Sequence, residues 1–156
     1  MKTAFINSPL GIIKIQGDEN GISIISVLSE GELSTKIPNE LQESVLQLQE
    51  YFEGKRQDFE FKLNPKGTNF QQKVWQELLN IPYGKTMSYL DLSKKLGDVK
   101  AIRAVASANG KNPLWIVVPC HRVIGSDGSL TGYAGGLWRK KWLLEHEIPS
   151  HQQSLF

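Results

Sequence analysis

The sequence predicts an α+β protein: a small strand-rich amino-terminal part, then a mostly helical carboxy-terminal part containing a helix-turn-helix. Three observations carry this. The first 65 residues hold Ile- and Val-rich runs of strand length divided by turn signals. Beyond them the apolar spacing changes to the 3.6-residue period of helices. The charge changes sign at the same place. Residues 1–65 carry 6 Lys/Arg against 10 Asp/Glu, a net −4, whereas residues 66–156 carry 12 against 6, a net +6.

The strand runs are "TAFINS", "GIIKIQG" and "GISIISVLS", separated by Pro-Leu-Gly and Asp-Glu-Asn-Gly turns. "PNELQESVLQLQEYFEG" spaces Leu41, Val45, Leu48 and Phe52 as one helical face, with Gly54 as its stop. "DFEFKL" alternates like a further strand, and "NPKG" is the linker, dividing the chain into domains 1–65 and 66–156. Thr68 is positioned to cap the next helix, whose apolar face is Val74, Leu78 and Ile81 and which "PYG" ends.

Two short helices follow, Ser88 to about Leu96 and about Val99 to Asn109, joined by a Gly-Asp turn. Such a pair is the pattern of a helix-turn-helix. On the second, Ile102, Val105, Ala106 and Asn109 face inward, leaving Lys100, Arg103, Ala104, Ser107 and Lys111 outside. Small residues with isolated cations suit close approach to a nucleic-acid groove, the cations reaching phosphates. The net +6 of this half also fits a polyanion partner, although on charge alone an unevenly solvated surface serves equally.

At 40% hydrophobic and 22% charged residues, the chain has a globular composition. It shows no signal-peptide pattern and no apolar run near the roughly 20 residues a membrane span needs. A cytoplasmic setting is expected from the single cysteine, Cys120, which rules out an intrachain disulfide framework and a cysteine-rich zinc site. The histidines His121, His146 and His151 have no paired metal-ligand spacing, and no metal is expected.

Cys120 stands in "NPLWIVVPCHRVIGSDGSLTGYAGG". "WIVV" reads as a buried strand that Pro119 stops, placing Cys120 at a strand end. Free cysteine is commonly a buried, inert hydrophobe. As a nucleophile it needs a proton acceptor, because a thiol with a pKa of about 8.5 is only a few per cent thiolate at pH 7. His121 is the candidate acceptor, but neighbours on an extended strand point apart, so the two cooperate only if the chain turns there or a water bridges them. A carboxylate that fixes the imidazole tautomer completes such a site, and Glu147 in "WLLEHE" is the candidate.

Together "FQQKVWQELL", "GKTMSYLDLS", "AIRAVASANGKNP" and "PCHRVIGSDGSLTGYAGGLWRKKWLLEHE" resemble the O6-alkylguanine-DNA alkyltransferases, in order, over residues 66–148. The first 65 residues resemble that family in plan, as a ribonuclease-H-like domain. The resemblance implies irreversible repair: Cys120 takes the alkyl group from O6 of guanine in double-stranded DNA, and it implies no cofactor and a monomer. It further implies that His121 takes the thiol proton through a water, Glu147 orients His121 and Asn112 holds the network. Tyr89 would donate toward the guanine ring, and Arg103 would fill the space of the rotated nucleotide. Ala104 and its small neighbours Ala101 and Ala108 would meet the groove, while the loop around Ser126, Tyr133 and Ala134 would line the pocket and contact the base or phosphates. No cysteine or histidine precedes Cys120, so the amino-terminal zinc of some relatives is not expected. A non-catalytic lesion binder and a cysteine hydrolase are the alternatives, and only the first accounts for a basic helix-turn-helix.

Overall fold

The computed structural model describes residues 1–130 and 132–148. The chain forms two compact units, Met1–Lys66 and Gly67–Phe156.

The first unit is a three-stranded antiparallel meander, β1 (Lys2–Ser8), β2 (Gly11–Asp18) and β3 (Gly21–Leu28), backed by helix α1 (Gln42–Phe52). Strand alternation sends Ala4, Ile6, Ile13, Ile15, Ile25 and Val27 to one buried face, where Leu41, Val45 and Leu48 cover them. Tyr51, fully buried, takes the place expected of Phe52, which is only half-buried. Gly54 at φ 77° ends the turn after α1, as its position in the sequence predicts.

"DFEFKL" is not a regular strand: it makes one isolated parallel bridge, Ile22 to Leu63. Ile22 donates to the Lys62 carbonyl at 2.9 Å and Asn64 to the Ile22 carbonyl at 2.7 Å. The rest finds other partners. The Glu60 amide donates to Gln47 Oε1 of α1 at 2.8 Å. Phe59 packs on Tyr51 at 5.5 Å between ring centroids and on Phe61 at 5.9 Å. The alternating phenylalanines therefore anchor an irregular segment to a helix, which strand periodicity alone does not distinguish.

The second unit begins with α2 (Asn69–Leu78), opened by a capping box in which Thr68 Oγ1 accepts from the Gln71 amide at 3.1 Å and Gln71 Oε1 from the Thr68 amide at 2.9 Å. Val74, Trp75 and Leu78 are buried, as is Ile81 just past the helix end. Trp75 Nε1 donates to the Ala108 carbonyl at 2.9 Å, tying α2 to the end of α4. The pair α3 (Tyr89–Lys95) and α4 (Ile102–Gly110) forms the helix-turn-helix, with Ser88 capping α3, Gly97 at φ 90° in the turn and a 3-10 turn at Val99–Ala101 leading into α4. Two-residue strands β4 (Met87–Ser88) and β5 (Val123–Ile124) pair in parallel, and α5 (Leu137–Glu147) closes the unit.

Of the α4 residues expected to face inward, Val105 and Asn109 are buried, while Ile102 and Ala106 are half-buried and line the cavity described below; Ala108, which the resemblance placed at the groove, is the exception on the other face. Arg103, Ala104 and Ser107 are exposed. Ala108, 3% exposed beneath Trp75, packs inward and does not join the exposed small-residue face. Among the described residues no helix is long and apolar enough to cross a membrane.

Candidate functional site

The site is built on the stretch from Asn112 to Val123. Asn112 is buried and clamps it: Oδ1 accepts from the Leu114 amide at 2.9 Å and Nδ2 donates to the Val118 carbonyl at 2.7 Å. Between these points "WIVV" is not a strand but a sequence of turns. The Val117 amide donates to the Trp115 carbonyl at 2.8 Å with Ile116 between them at φ 74°, and the Cys120 amide donates to the Val118 carbonyl at 2.8 Å around Pro119 at φ −81°, ψ 62°. Two three-residue turns thus bend the chain toward Cys120. A β-branched residue in the left-handed region costs on the order of 1–3 kcal/mol and persists only where the surroundings enforce it. The apolar run signals burial correctly, since Ile116, Val117 and Val118 are all buried, but not extension.

The chain then turns through a 3-10 helix, Cys120–Arg122, so Cys120 and His121 do not have the opposed directions of strand neighbours. His121 is fully buried, with Nε2 2.8 Å from Glu147 Oε2. Arg122 binds the same carboxylate in a fork: Nε donates to Oε1 at 2.7 Å and Nη2 to Oε2 at 3.1 Å, while Nη1 donates to the Ile81 carbonyl at 2.7 Å. Burial opposes ionisation of Glu147, but His121 and Arg122 outweigh it and hold the carboxyl well below the usual range. A carboxylate can only accept, so Nε2 is the nitrogen that donates to Glu147, which leaves Nδ1 as the one that can exchange a proton elsewhere. Nδ1 is buried and has no hydrogen-bond partner among the described residues.

Cys120 is 4% exposed, and burial pushes its thiol up to about 11, opposed by the Asn112 amide, Lys140 and a backbone hydrogen bond. Lys140 is itself fully buried near the start of α5, where Nζ donates to the Val123 carbonyl at 2.6 Å, and desolvation brings it down to about 8. The sulfur therefore rests as a neutral thiol beside a cation that favours its thiolate. Neither Lys140 nor Arg122 stands out in the sequence, because buried and surface cations look alike there. Arg122 is at least followed by apolar Val123 and Ile124, whereas Lys140 stands between Arg139 and Lys141 with nothing to mark it.

A cavity of about 500 Å³ opens beside this network, walled by Tyr89, Arg103 and Asn109 on one side and by Gly132, Tyr133 and Ala134 on the other. That volume is in the range of small-molecule sites. Two wall residues reach Cys120: Asn109 Nδ2 lies 3.5 Å from its carbonyl, and a charge on Cys120 adds to the burial that raises the Tyr133 hydroxyl. The Trp115 ring lies 5.7 Å from that of Tyr133, and a Cβ at Gly135 would meet Trp115 at 2.8 Å and Tyr133 at 2.9 Å. Gly135 is glycine because two aromatic rings occupy the space. Tyr89 is half-buried on the cavity wall and is not a core residue. Arg103 stands exposed at the rim, next to exposed Ala104. Ser126 does not line the cavity; it sits at the exposed tip of a turn closed by the Gly125 amide on the Ser129 carbonyl at 2.8 Å. His151 lies outside the described residues. Among the described residues no group of three or more His, Cys, Asp or Glu side chains is placed to hold a metal ion.

A buried thiol next to a carboxylate-held imidazole, with a cavity lined in part by a helix-turn-helix, is an arrangement that suits a DNA-acting protein with a reactive cysteine. Comparison with known proteins makes the class specific. Residues 69–148 match the 6-O-methylguanine DNA methyltransferase DNA-binding domain, and residues 1–65 match the ribonuclease-like domain of the same methyltransferase. The methylated-DNA–protein-cysteine methyltransferase of Methanosarcina barkeri is 45% identical, covering 91% of this chain and 94% of its own. The crystal structure of the Mycobacterium tuberculosis O6-methylguanine methyltransferase superposes with a TM-score of 0.85 at 42% identity, covering 94% of this chain and 92% of the other. A second structure from that organism, in complex with DNA, gives a TM-score of 0.84 at 43% identity over 93% of this chain and 91% of the other. The chain belongs to the O6-alkylguanine-DNA alkyltransferase family.

Proposed function

We propose that this protein repairs DNA by moving the alkyl group from O6 of guanine in a duplex onto Cys120, once per molecule and irreversibly. The observation that carries this reading is the His121 imidazole, held by Glu147 through Nε2 with Nδ1 buried and without a hydrogen-bond partner among the described residues, next in the chain to the one cysteine. The thiol proton passes through a water to Nδ1. The thiolate attacks the alkyl carbon, the S–C bond forms, and the C–O bond breaks with its electrons retained by the guanine. Tyr89 on the cavity wall is placed to donate toward the ring as that charge develops. Asn112 holds the segment that carries the nucleophile, and the buried Lys140 favours the thiolate.

The alkyl carbon on O6 is out of reach in a stacked duplex, so the nucleotide must rotate out, at a few kcal/mol. Arg103 at the rim is placed to enter the vacated stack, with Ala104 allowing α4 to approach the groove and Tyr133 and Ala134 lining the base pocket. Ser126, in the exposed turn, is assigned to the phosphate side of this contact. The amino-terminal unit is the family's ribonuclease-H-like domain, residues 1–65, and the carboxy-terminal one, 66–156, is the acceptor domain. The protein works as a monomer in the cytoplasm, and the donor is the lesion itself, so the reaction needs no cofactor.

The test is stoichiometry. With a duplex holding one O6-methylguanine in excess, the lesion is expected to disappear to one equivalent per chain and stop. Continued turnover would point to a hydrolase, and no loss at all to a lesion binder.

A further inference from the structure

Lys140 lies on α5 with no exposed surface. A buried ammonium is costly, and a methionine of similar length would fill the space without that cost. What the ammonium does there is hold carbonyls from two parts of the site. Nζ donates to the Val123 carbonyl at 2.6 Å and to the Gly132 carbonyl at 3.4 Å. Val123 is the residue that closes the Cys120 turn, its own amide donating to the Cys120 carbonyl. Gly132 belongs to the loop that walls the cavity. The same Nζ lies 5.9 Å from the centre of the Tyr89 ring, on the α3 side. One cation therefore stands where the nucleophile's turn, the cavity loop and α3 meet.

We infer that Lys140 is a positioning residue for the transfer step: it pins the Cys120 turn to the cavity loop and sets a positive charge beside the thiolate as it forms. This deepens the repair reading above and rests on it. The thiol proton still passes through water to His121. Lys140 gives up no proton and forms no bond to the alkyl carbon; it acts through Val123, Gly132 and Cys120. Burial opposes charge on both groups, but an ionised Cys120 and the Lys140 ammonium favour each other, lowering the thiol and raising the ammonium. Without the cation, burial acts on the sulfur with less to oppose it, and less thiolate forms.

The experiment compares wild type with Lys140→Met, which keeps an apolar stem and removes the ammonium. Two rates are measured at one neutral pH. The first is single-turnover methyl transfer from a saturating O6-methylguanine duplex. The second is alkylation of Cys120 by iodoacetamide without DNA, followed by intact mass. In Lys140→Met both rates are expected to fall together, by about tenfold or more, the equivalent of about one pKa unit at the sulfur. Duplex affinity, read by anisotropy, is expected to stay close to that of wild type, so the loss falls on the maximal rate. A lysine that only braces the packing gives the opposite signature, because loosening opens a buried sulfur and speeds iodoacetamide while transfer slows. Transfer slowed with iodoacetamide unchanged or faster overturns the inference, as do two unchanged rates or a wild-type sulfur inert to iodoacetamide. If Lys140→Met does not fold, Lys140→Gln reads the same two rates. A wild type that reacts with iodoacetamide but takes no methyl group from the duplex would instead sink the repair reading itself.

Discussion

Cys120→Ala is expected to abolish methyl acceptance completely while leaving binding to an O6-methylguanine duplex within a few-fold of wild type. No second cysteine exists in the 156 residues to take over. The substitution is also gentle structurally. Cys120 sits in a 3-10 turn held by backbone hydrogen bonds, including its own amide on the Val118 carbonyl at 2.8 Å, and none of these needs the sulfur. The surface proposed to meet DNA, the exposed face of α4 around Arg103 and Ala104, belongs to a different element. Transfer is checked with methyl-labelled DNA and binding by fluorescence anisotropy at a fixed salt concentration. A variant that still acquired label would refute Cys120 as the acceptor, and one that lost duplex binding would show that the sulfur has a structural role not proposed for it.

The second large effect is expected at Glu147. In Glu147→Gln the imidazole loses the charge that fixes its tautomer, and Arg122, 6% exposed, loses its ion-pair partner. Removing one partner of a buried pair costs about 3–5 kcal/mol, so the variant should unfold at clearly lower urea concentration at pH 7. Its transfer rate should fall roughly a hundredfold or more, as expected when a general base loses its orientation. The pH dependence separates the charge from mere packing. The Glu147 carboxyl is held well below its ordinary 4.5, so the stabilisation it supplies is complete above that value and is lost as the pH falls through the depressed folded value. The stability gap between wild type and Glu147→Gln should therefore narrow below about pH 4.5. A gap independent of pH would mean that the carboxylate charge contributes nothing.

The main elements of the fold are readable from residue pattern because local chemistry and tertiary packing agree there. The Ile-rich strands alternate as they pack, and Thr68 caps α2 as its position before an apolar helical face implies. The acidic-to-basic change falls at the boundary between the two compact units. Where long-range contacts decide, pattern misleads. "WIVV" has strand composition, yet the Asn112 clamp and the left-handed Ile116 fold it into turns, and Phe59 and Phe61 answer to Tyr51 rather than to a strand partner.

At the site, sequence and resemblance together name Cys120, His121, Glu147, Asn112, Tyr89, Arg103, Tyr133 and Ala134 as candidates. The structure buries the first four, pairing Asn112 with Cys120 and His121 with Glu147, and sets the last four on one cavity wall or rim, while Ser126, also a candidate, lies off it. Lys140 and Arg122 escape notice, because a cation's burial depends on what α5 and the Cys120 turn pack against, and no spacing rule encodes that.

Peptide mapping after reaction with one equivalent of O6-methylguanine duplex is the most direct test of the whole account. The expected result is a single S-methylcysteine at position 120, formed in step with the appearance of unmodified guanine in the DNA. Guanine restored with Cys120 unmodified, or a methyl group found on any other residue, would contradict it.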